Sequence, residues 1–198
     1  MAEGCLLQLH DCLAEVRAAQ QEWAATHAAS LRPLHQAAAA TPPRLSPPAT
    51  LSAELLLGVA AAEARHEATR GAALPALHQA VAQHAALLER MYAAASAARA
   101  LVAALPCGEA CVRPGDRFSP AELCATLSAP LGAYEMELQL KQSCVHELRA
   151  GRRRSAQQAQ MLVITWESQP MLEPVEGMWA GLEEEEALRE ARRTVPAP

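Results

Sequence analysis

Alanine is the feature of this chain that most restricts its possible folds. It occupies 46 of the 198 positions, whereas isoleucine and phenylalanine occur once each, at Ile164 and Phe118. A large β-sheet needs β-branched and aromatic side chains on its faces, and this chain has few of them. Alanine and leucine, which together exceed a third of the residues, are the strongest apolar helix formers. The composition therefore predicts an all-α fold with thin helices packed along alanine-lined seams, and it excludes an all-β fold.

Apolar residues recur with heptad spacing in the N-terminal part of the chain. When Leu6 takes the first position of a heptad, the apolar stripe runs through Leu13 and Val16 to Trp23. Beyond Trp23 the same positions become polar, and Pro33 lacks the N–H group that a helix interior uses. We therefore expect a helix from about residue 4 to residue 31, followed at most by one weak turn.

A proline-rich segment, residues 41–50, separates this helix from the rest of the chain. Four of its ten residues are proline, a composition typical of a stiff, extended linker. A second helical segment is expected to begin near Thr50 or Ser52 and to end at Gly71. The heptad pattern returns at Leu74, so we expect a further helix over 74–105 with Pro75 in its first turn.

Capping signals mark the start of the next helix. Ser119, Pro120 and Glu122 have the spacing of a capping box with proline in the first helical position. Pro130 interrupts the apolar stripe that follows, so we expect a kink or a restart there. Residues 131–150 form the most regular amphipathic pattern in the chain, and a short helix is expected over 156–167.

These patterns predict an elongated bundle of four to five helices with coiled-coil-like seams, a Pro-rich linker and an irregular C-terminal tail. The end of the chain carries Glu183–Glu186 among other charged residues and is expected to be disordered. The expected regions are an N-terminal helix (1–40), the linker (41–50), a helical bundle (51–150), a short helix with a Trp- and Pro-containing tail (151–182) and the charged end (183–198).

Residue types that carry catalysis or bind metals are not grouped in this sequence. The nine glycines are scattered, so no phosphate-binding loop is indicated. Cys107 and Cys111 form only a loose pair, whereas a zinc site needs two closely spaced pairs. His27 and His84 occupy predicted seams, where a histidine is more often an interface residue than a catalyst. We therefore expect no enzymatic activity, no cofactor and no metal.

Charge and hydropathy point to an intracellular chain outside the membrane. The net charge is −5, no apolar run is long enough to span a bilayer, and the N-terminus lacks the basic segment of a signal peptide. The six cysteines are therefore expected to be reduced. Arg149 and Arg152–Arg154 form a basic patch without interleaved aromatic residues, so direct nucleic-acid binding is not expected. A solvated surface is the simplest interpretation, and contact with phosphate or an acidic partner is the alternative.

Trp166 and Trp179 are conspicuous because the chain has few aromatic residues. Both belong to a loop-rich region that lacks apolar residues for a core of its own. Each must either dock on the helices of this chain or fill a pocket on a partner protein. The sequence leaves both possibilities open.

Several short segments have the order and spacing found in a family of small helical proteins. The segment from Tyr134 to Lys141 has the pattern Y-x-x-E-L-x-L-K, and Trp166 begins the pattern W-x-x-Q-P. Near the N-terminus, Gln20 and Trp23 form a Q-x-x-W pattern. The first two segments resemble those of proteins like the cyclin-dependent-kinase-two-interacting protein (CINP), and the third resembles the related AIRIM family of ribosome maturation factors.

The resemblance implies a non-enzymatic adaptor subunit of an assembly with two AAA+ ATPases. That assembly acts in maturation of the large ribosomal subunit, where it releases shuttling factors from pre-ribosomal particles, and in proteostasis of the replisome. The implied partners are the AAA+ ATPase subunits and a CINP-like helical subunit, and the implied location is the cytoplasm and the nucleus. The residues expected to bind partners are Trp23, Tyr134, Leu138, Lys141, Trp166, Gln169, Pro170 and Trp179.

Two alternatives remain open for the function of the chain. It could be a coiled-coil structural subunit of another multiprotein assembly, of the kinetochore or tethering type. It could also be a CINP-like factor of replication and checkpoint control.

Overall fold

The computed structural model describes residues 2–40, 52–106, 108–111, 118–150 and 155–175. Its regular elements within these ranges are helical, which confirms the all-α prediction. The elements are α1 (Ala2–Ala39), α2 (Ala53–Ala103), a 3-10 turn (Glu109–Cys111), α3 (Pro120–Ser128), α4 (Leu131–Ala150) and α5 (Ala156–Ser168). No helix in these ranges is both long and apolar enough to cross a bilayer. The predicted linker (41–50), the charged end (183–198) and Trp179 lie outside the described residues.

Helix α1 is longer than the sequence predicted. It continues through Pro33 to Ala39, so the expected end near residue 31 is wrong. A proline inside a helix removes one backbone hydrogen bond, and the residues beyond it compensate by packing, since Leu34 and Ala37 have no exposed surface. The polar heptad positions after Trp23 are also buried, which keeps the same helix face in contact with its neighbours.

Helix α2 is one continuous helix, so the predicted end at Gly71 and new start at Leu74 are wrong. Both Gly71 and Pro75 lie inside it. A glycine costs an exposed helix interior about 1 kcal/mol relative to alanine. Buried residues on both sides of Pro75 hold this part of the helix in place, since Ala73 is 4% exposed and Leu77 is fully buried.

The buried face of α2 includes most of the predicted seam and is wider than it. Leu77, Met91 and Ala98 are buried as expected, but Leu74 and Val81 are only half-buried. Leu88 and Ala95 are also buried as predicted, and so are four residues next to predicted positions, namely Ala73, Ala80, Leu87 and Ala94. Small side chains on this face allow a neighbouring helix to approach closely.

The capping signals correctly located the starts of the shorter helices. Ser119 caps α3 in a complete capping box with Glu122, and the chain restarts as α4 directly after Pro130. Helix α5 also begins with a capping box, formed by Ser155 and Gln158, which the sequence analysis did not identify. It ends at Ser168 and is followed by the C-cap residue Gln169, whose left-handed backbone has φ of 43°.

The contacts divide the chain into two compact units. Among the described residues, unit 1 comprises 2–22, 86–106, 108–111, 118–137 and 171–175, and unit 2 comprises 23–40, 52–85, 138–150 and 155–170. Helices α1, α2 and α4 each contribute one part to unit 1 and another part to unit 2, whereas α3 belongs to unit 1 and α5 to unit 2.

Unit 1 has a mainly apolar interior and several polar contacts at its surface. The Arg90 guanidinium on α2 bonds to the carboxylates of Glu15 and Glu22 on α1, with nitrogen–oxygen distances of 2.8 and 2.7 Å. The Tyr92 hydroxyl donates to the Glu135 carboxylate on α4 at 2.9 Å. These contacts join α1, α2 and α4. The buried apolar residues of unit 1 include Leu9, Leu13, Val16, Met91, Ala95, Leu123, Leu127 and Leu131.

Unit 1 also contains buried polar side chains, among them Ser119 and one carboxylate. Glu137 on α4 has no exposed surface, and one of its oxygens accepts the backbone N–H of Met171 at 3.3 Å. This bond fastens the chain beyond α5 to α4.

Unit 2 is built around Trp166 and a cluster of buried aliphatic residues. The cluster takes residues from all four helices that enter the unit, so α5 is held against parts of α1, α2 and α4. Its buried members are Leu34, Ala37, Ala73, Leu77, Cys144, Val145, Leu148, Val163 and Trp166.

Candidate functional site

The interior of unit 2 contains polar and ionisable side chains from four helices. Lys141 and His84 have no exposed surface, and Ser30 and His27 are 2% and 8% exposed. Burying such groups is costly unless they are hydrogen-bonded. Their partners therefore indicate what this interior is built to do. We call His27, Ser30, His84, Lys141 and Trp166 the polar cluster.

Lys141 lies at the centre of the polar cluster. Its Nζ is 3.1 Å from Nδ1 of His27 and 3.4 Å from the carbonyl oxygen of Trp166. The same ammonium lies over the Trp166 ring, 4.6 Å from the ring centre, in a cation–π arrangement. Lys141 therefore connects α4 to both α1 and α5.

The hydrogen bond from Lys141 defines the protonation state of His27. Because the ammonium has only donors, Nδ1 of His27 must be the acceptor, and the imidazole is neutral. Burial, aided by the charge of Lys141, lowers the pKa of His27 to about 4, against a smaller opposing effect of Glu167. Glu167 itself is bonded to Nε2 of His35 at 2.7 Å, at the surface of the unit.

Trp166 also bonds to α1 through its indole nitrogen. Its Nε1–H donates to the Ser30 hydroxyl at 2.9 Å, and that hydroxyl donates to the His27 carbonyl at 2.6 Å. The buried indole therefore has its single donor satisfied, as a buried tryptophan requires. The bond also gives a physical reason for a serine at this heptad position of α1.

His84 and Trp23 form the other end of the buried interior. Their ring centres are 4.2 Å apart, with the planes tilted by 60°. Nε1 of Trp23 donates to the side-chain oxygen of Gln169 at 3.1 Å. Neither ring nitrogen of His84 has a well-formed hydrogen bond. Burial, followed by the charge of Lys141, lowers the pKa of His84 to about 4, and the backbone of Trp23 and Ala80 offsets part of that effect.

The structure brings together most of the residues predicted to bind partners, but it places them in the interior. Trp23 and Trp166 are 1% and 0% exposed, Lys141 is fully buried, and Leu138 is 8% exposed. A side chain without exposed surface cannot touch a partner while the unit is folded. Of the two possibilities for Trp166, docking on the helices of its own chain is therefore the one observed. Direct partner contact by these buried residues does not fit their placement.

The remaining predicted residues have other locations. Tyr134 is 7% exposed and lies in unit 1, Gln169 is half-buried, and Pro170 is exposed at the end of α5. Partner binding by Pro170 stays a prediction, and so does partner binding by Trp179, which lies outside the described residues.

Three members of the polar cluster were not among the predicted site residues. His27, Ser30 and His84 all occupy heptad seam positions, so polar residues within an apolar periodicity were the available signal. The sequence could not reveal their contacts, because Lys141 lies 114 residues from His27 along the chain.

Exposed aliphatic side chains are concentrated at the start of α2. Leu55, Leu56 and Leu57 are 56%, 53% and 71% exposed, and Val59 is 37% exposed. Four exposed aliphatic side chains within five residues make this end of α2 a candidate contact surface. We call Leu55–Val59 the leucine segment.

Cys5, Cys12 and Cys124 are poorly suited to act as nucleophiles. Burial raises the pKa of the Cys5, Cys12 and Cys124 thiols, and the charges of Asp11 and Cys124 add to the rise at Cys12. A thiol with a raised pKa is a poor nucleophile at neutral pH. No group of three or more potential metal ligands occurs within the part of the chain that the structure describes.

Comparison of the chain with known protein families, with curated proteins and with solved structures found no match.

Proposed function

We propose that this chain is a non-enzymatic adaptor subunit of an AAA+ ATPase assembly, of the kind that acts in maturation of the large ribosomal subunit and in replisome proteostasis. Its partners in this proposal are the AAA+ ATPase subunits and a CINP-like helical subunit, in the cytoplasm and nucleus. Pre-ribosomal particles and replisomes are reached indirectly, through the assembly.

One observation supports this proposal most strongly. The three segments that carry the resemblance are far apart in the sequence, yet each contributes at least one residue to contacts within unit 2. Trp23 of the first segment bonds to Gln169 of the third, and Lys141 of the second contacts Trp166 of the third. Shared contacts give a physical reason for the order and spacing of these segments, as expected if they are the signature of one fold.

Affinity purification of the tagged full-length chain from cells, followed by mass spectrometry, tests the proposal. We expect AAA+ ATPase subunits and a CINP-like subunit to co-purify, and the purified chain alone to hydrolyse no ATP. Trp179→Ala is expected to weaken recovery of the ATPases at an unchanged helix content. Pro170→Ala tests the exposed residue at the end of α5, for which partner binding is also predicted, in the same recovery assay. Recovery of neither partner from wild-type cells would exclude the adaptor function.

A coiled-coil structural subunit is the second candidate, and the leucine segment favours it. Exposed leucines on a helix are typical of surfaces that pair with other helices. Size-exclusion chromatography with light scattering separates the two candidates. A stable homo-oligomer that Leu56→Glu disrupts favours the structural subunit, whereas a monomer that binds the ATPases favours the adaptor.

A further inference from the structure

Unit 2 holds three ionisable nitrogen bases in one interior. The buried charge of Lys141 on α4 acts on both His27 of α1 and His84 of α2. From α5, the partly exposed Glu167 faces His27. On α4 itself, buried Glu137 precedes Lys141 by four residues. Every proton added to this group of bases places a positive charge beside an existing one.

We propose that the polar cluster makes unit 2 an acid-sensitive element of the fold, in which protonation of His27 and His84 releases α5 and Trp166 from α1 and α4. The proposal does not depend on the proposed function. It concerns a conformational change that is built into the interior of the unit.

The geometry explains why protonation of His27 and His84 destabilises the contacts of unit 2, whereas protonation of an exposed histidine does not. A protonated His27 has no lone pair on Nδ1 and cannot accept the hydrogen bond from Lys141, so two cations would lie 3.1 Å apart. A protonated His84 would carry its charge without exposure to water. Lys141 also holds Trp166, so repulsion at His27 acts directly on the contact that fastens α5.

The direction of the pH dependence follows from the folded-state pKa values. Both histidines have a pKa lowered from 6.5 to about 4 in the folded protein. The unfolded state therefore binds more protons between these values, and folding is destabilised there as the pH falls. The full stability is present above pH 6.5 and is lost progressively as the pH approaches 4.

Hydrogen exchange of the full-length protein, read by mass spectrometry at pH 7.5, 6.5, 5.5 and 5.0, tests the proposal. After correction for the intrinsic pH dependence of exchange, the opening constant of α5 should rise about 30-fold at pH 5.0 if one histidine is responsible, and several hundred-fold if both are. Residues 5–22 of α1, which belong to unit 1, should change far less.

Variants of single histidines show which residues cause the acid response of α5. His84→Leu and His27→Gln should each remove about a 30-fold part of the acid response of α5, and glutamine at position 27 keeps an acceptor for Lys141. His78→Leu is the matched control, because His78 is an exposed histidine on the same helix as His84, and it should keep the wild-type response.

Three outcomes would overturn the proposal. The first is an opening constant of α5 that stays constant from pH 7.5 to pH 5.0 in the wild-type chain, a result that needs no variant to fold. The second is an unchanged acid response in both His84→Leu and His27→Gln. The third is loss of the response in His78→Leu.

Discussion

The two units of this molecule differ in how their helices are joined by polar contacts. In unit 1 the bonds of Arg90 to Glu15 and Glu22, and of Tyr92 to Glu135, lie at the surface. In unit 2 the bonds among His27, Ser30, Lys141 and Trp166 lie in the interior. The same helices α1, α2 and α4 supply both arrangements.

Helix seams of one kind are therefore joined either by exposed charged contacts or by buried hydrogen bonds. Contacts between exposed charges gain little, because water and salt screen them. Buried hydrogen bonds differ because removal of one partner leaves the other without water or a bond, at a cost of about 1–3 kcal/mol. Substitutions at the buried polar residues of unit 2 should therefore be much more costly than substitutions at the exposed charged residues of unit 1.

The largest effect is expected from Trp166→Ala. It removes a fully buried indole and should lower the free energy of unfolding by about 3–5 kcal/mol. Urea denaturation followed by circular dichroism measures the change. Trp166→Phe keeps a ring beside Lys141 but removes the bond to Ser30, and should cost about 1–2 kcal/mol. Equal losses in the two variants would show that the bond to Ser30, and not the packing, dominates.

Lys141→Met should have the next largest effect, a loss of about 1–3 kcal/mol, because Nδ1 of His27 and the Trp166 carbonyl lose their donor. The same urea titration reports it. A double variant with His27→Leu removes the acceptor as well and should lose less than the sum of the single changes. A Lys141→Met protein that is more stable than the wild type would mean that burying the ammonium costs more than its bonds return.

The two capping serines provide a matched pair of smaller changes, one in each unit. Ser155→Ala removes the cap of α5 and Ser119→Ala removes the cap of α3, and each should cost about 1 kcal/mol. Hydrogen exchange should show increased opening confined to α5 for Ser155→Ala and to α3 for Ser119→Ala. Increased opening throughout both units in either variant would contradict their description as separate compact units.

The smallest effect is expected from Arg90→Ala in unit 1. The guanidinium and both carboxylates are exposed. In about 0.5 M salt such charges are screened within a few ångströms. The urea midpoint should therefore stay within experimental error of the wild type. Repeating the titration at low salt should reveal a slight loss. A large loss at both salt concentrations would remove the distinction between the two units.

Local signals in the sequence were sufficient for several parts of the fold. The helical class follows from the alanine and leucine content, and the starts of α3 and α4 follow from Ser119 and Pro130. Each of these depends on residues within one or two helical turns, where propensity and capping act. Such features can be read from a single sequence.

Other parts of the fold could not be predicted because they depend on distant residues. Pro33 and Gly71 are unfavourable inside a helix, and α1 and α2 nevertheless continue through them. Packing of the neighbouring buried residues outweighs a local preference of this size, since tertiary contacts supply most of the stability of a helix. The sequence showed the unfavourable residue but not the contacts that compensate for it.

The polar cluster separates what the sequence by itself determined from what the tertiary structure decided. The heptad pattern placed His27 and His84 on seams, and the scarcity of aromatic residues marked Trp166 as exceptional. Only the tertiary structure showed that Lys141 joins His27 to Trp166, and that Trp166 docks inside its own chain. The physical reason is that periodicity determines which face of a helix is buried, whereas the identity of the neighbour on that face depends on how the helices pack together.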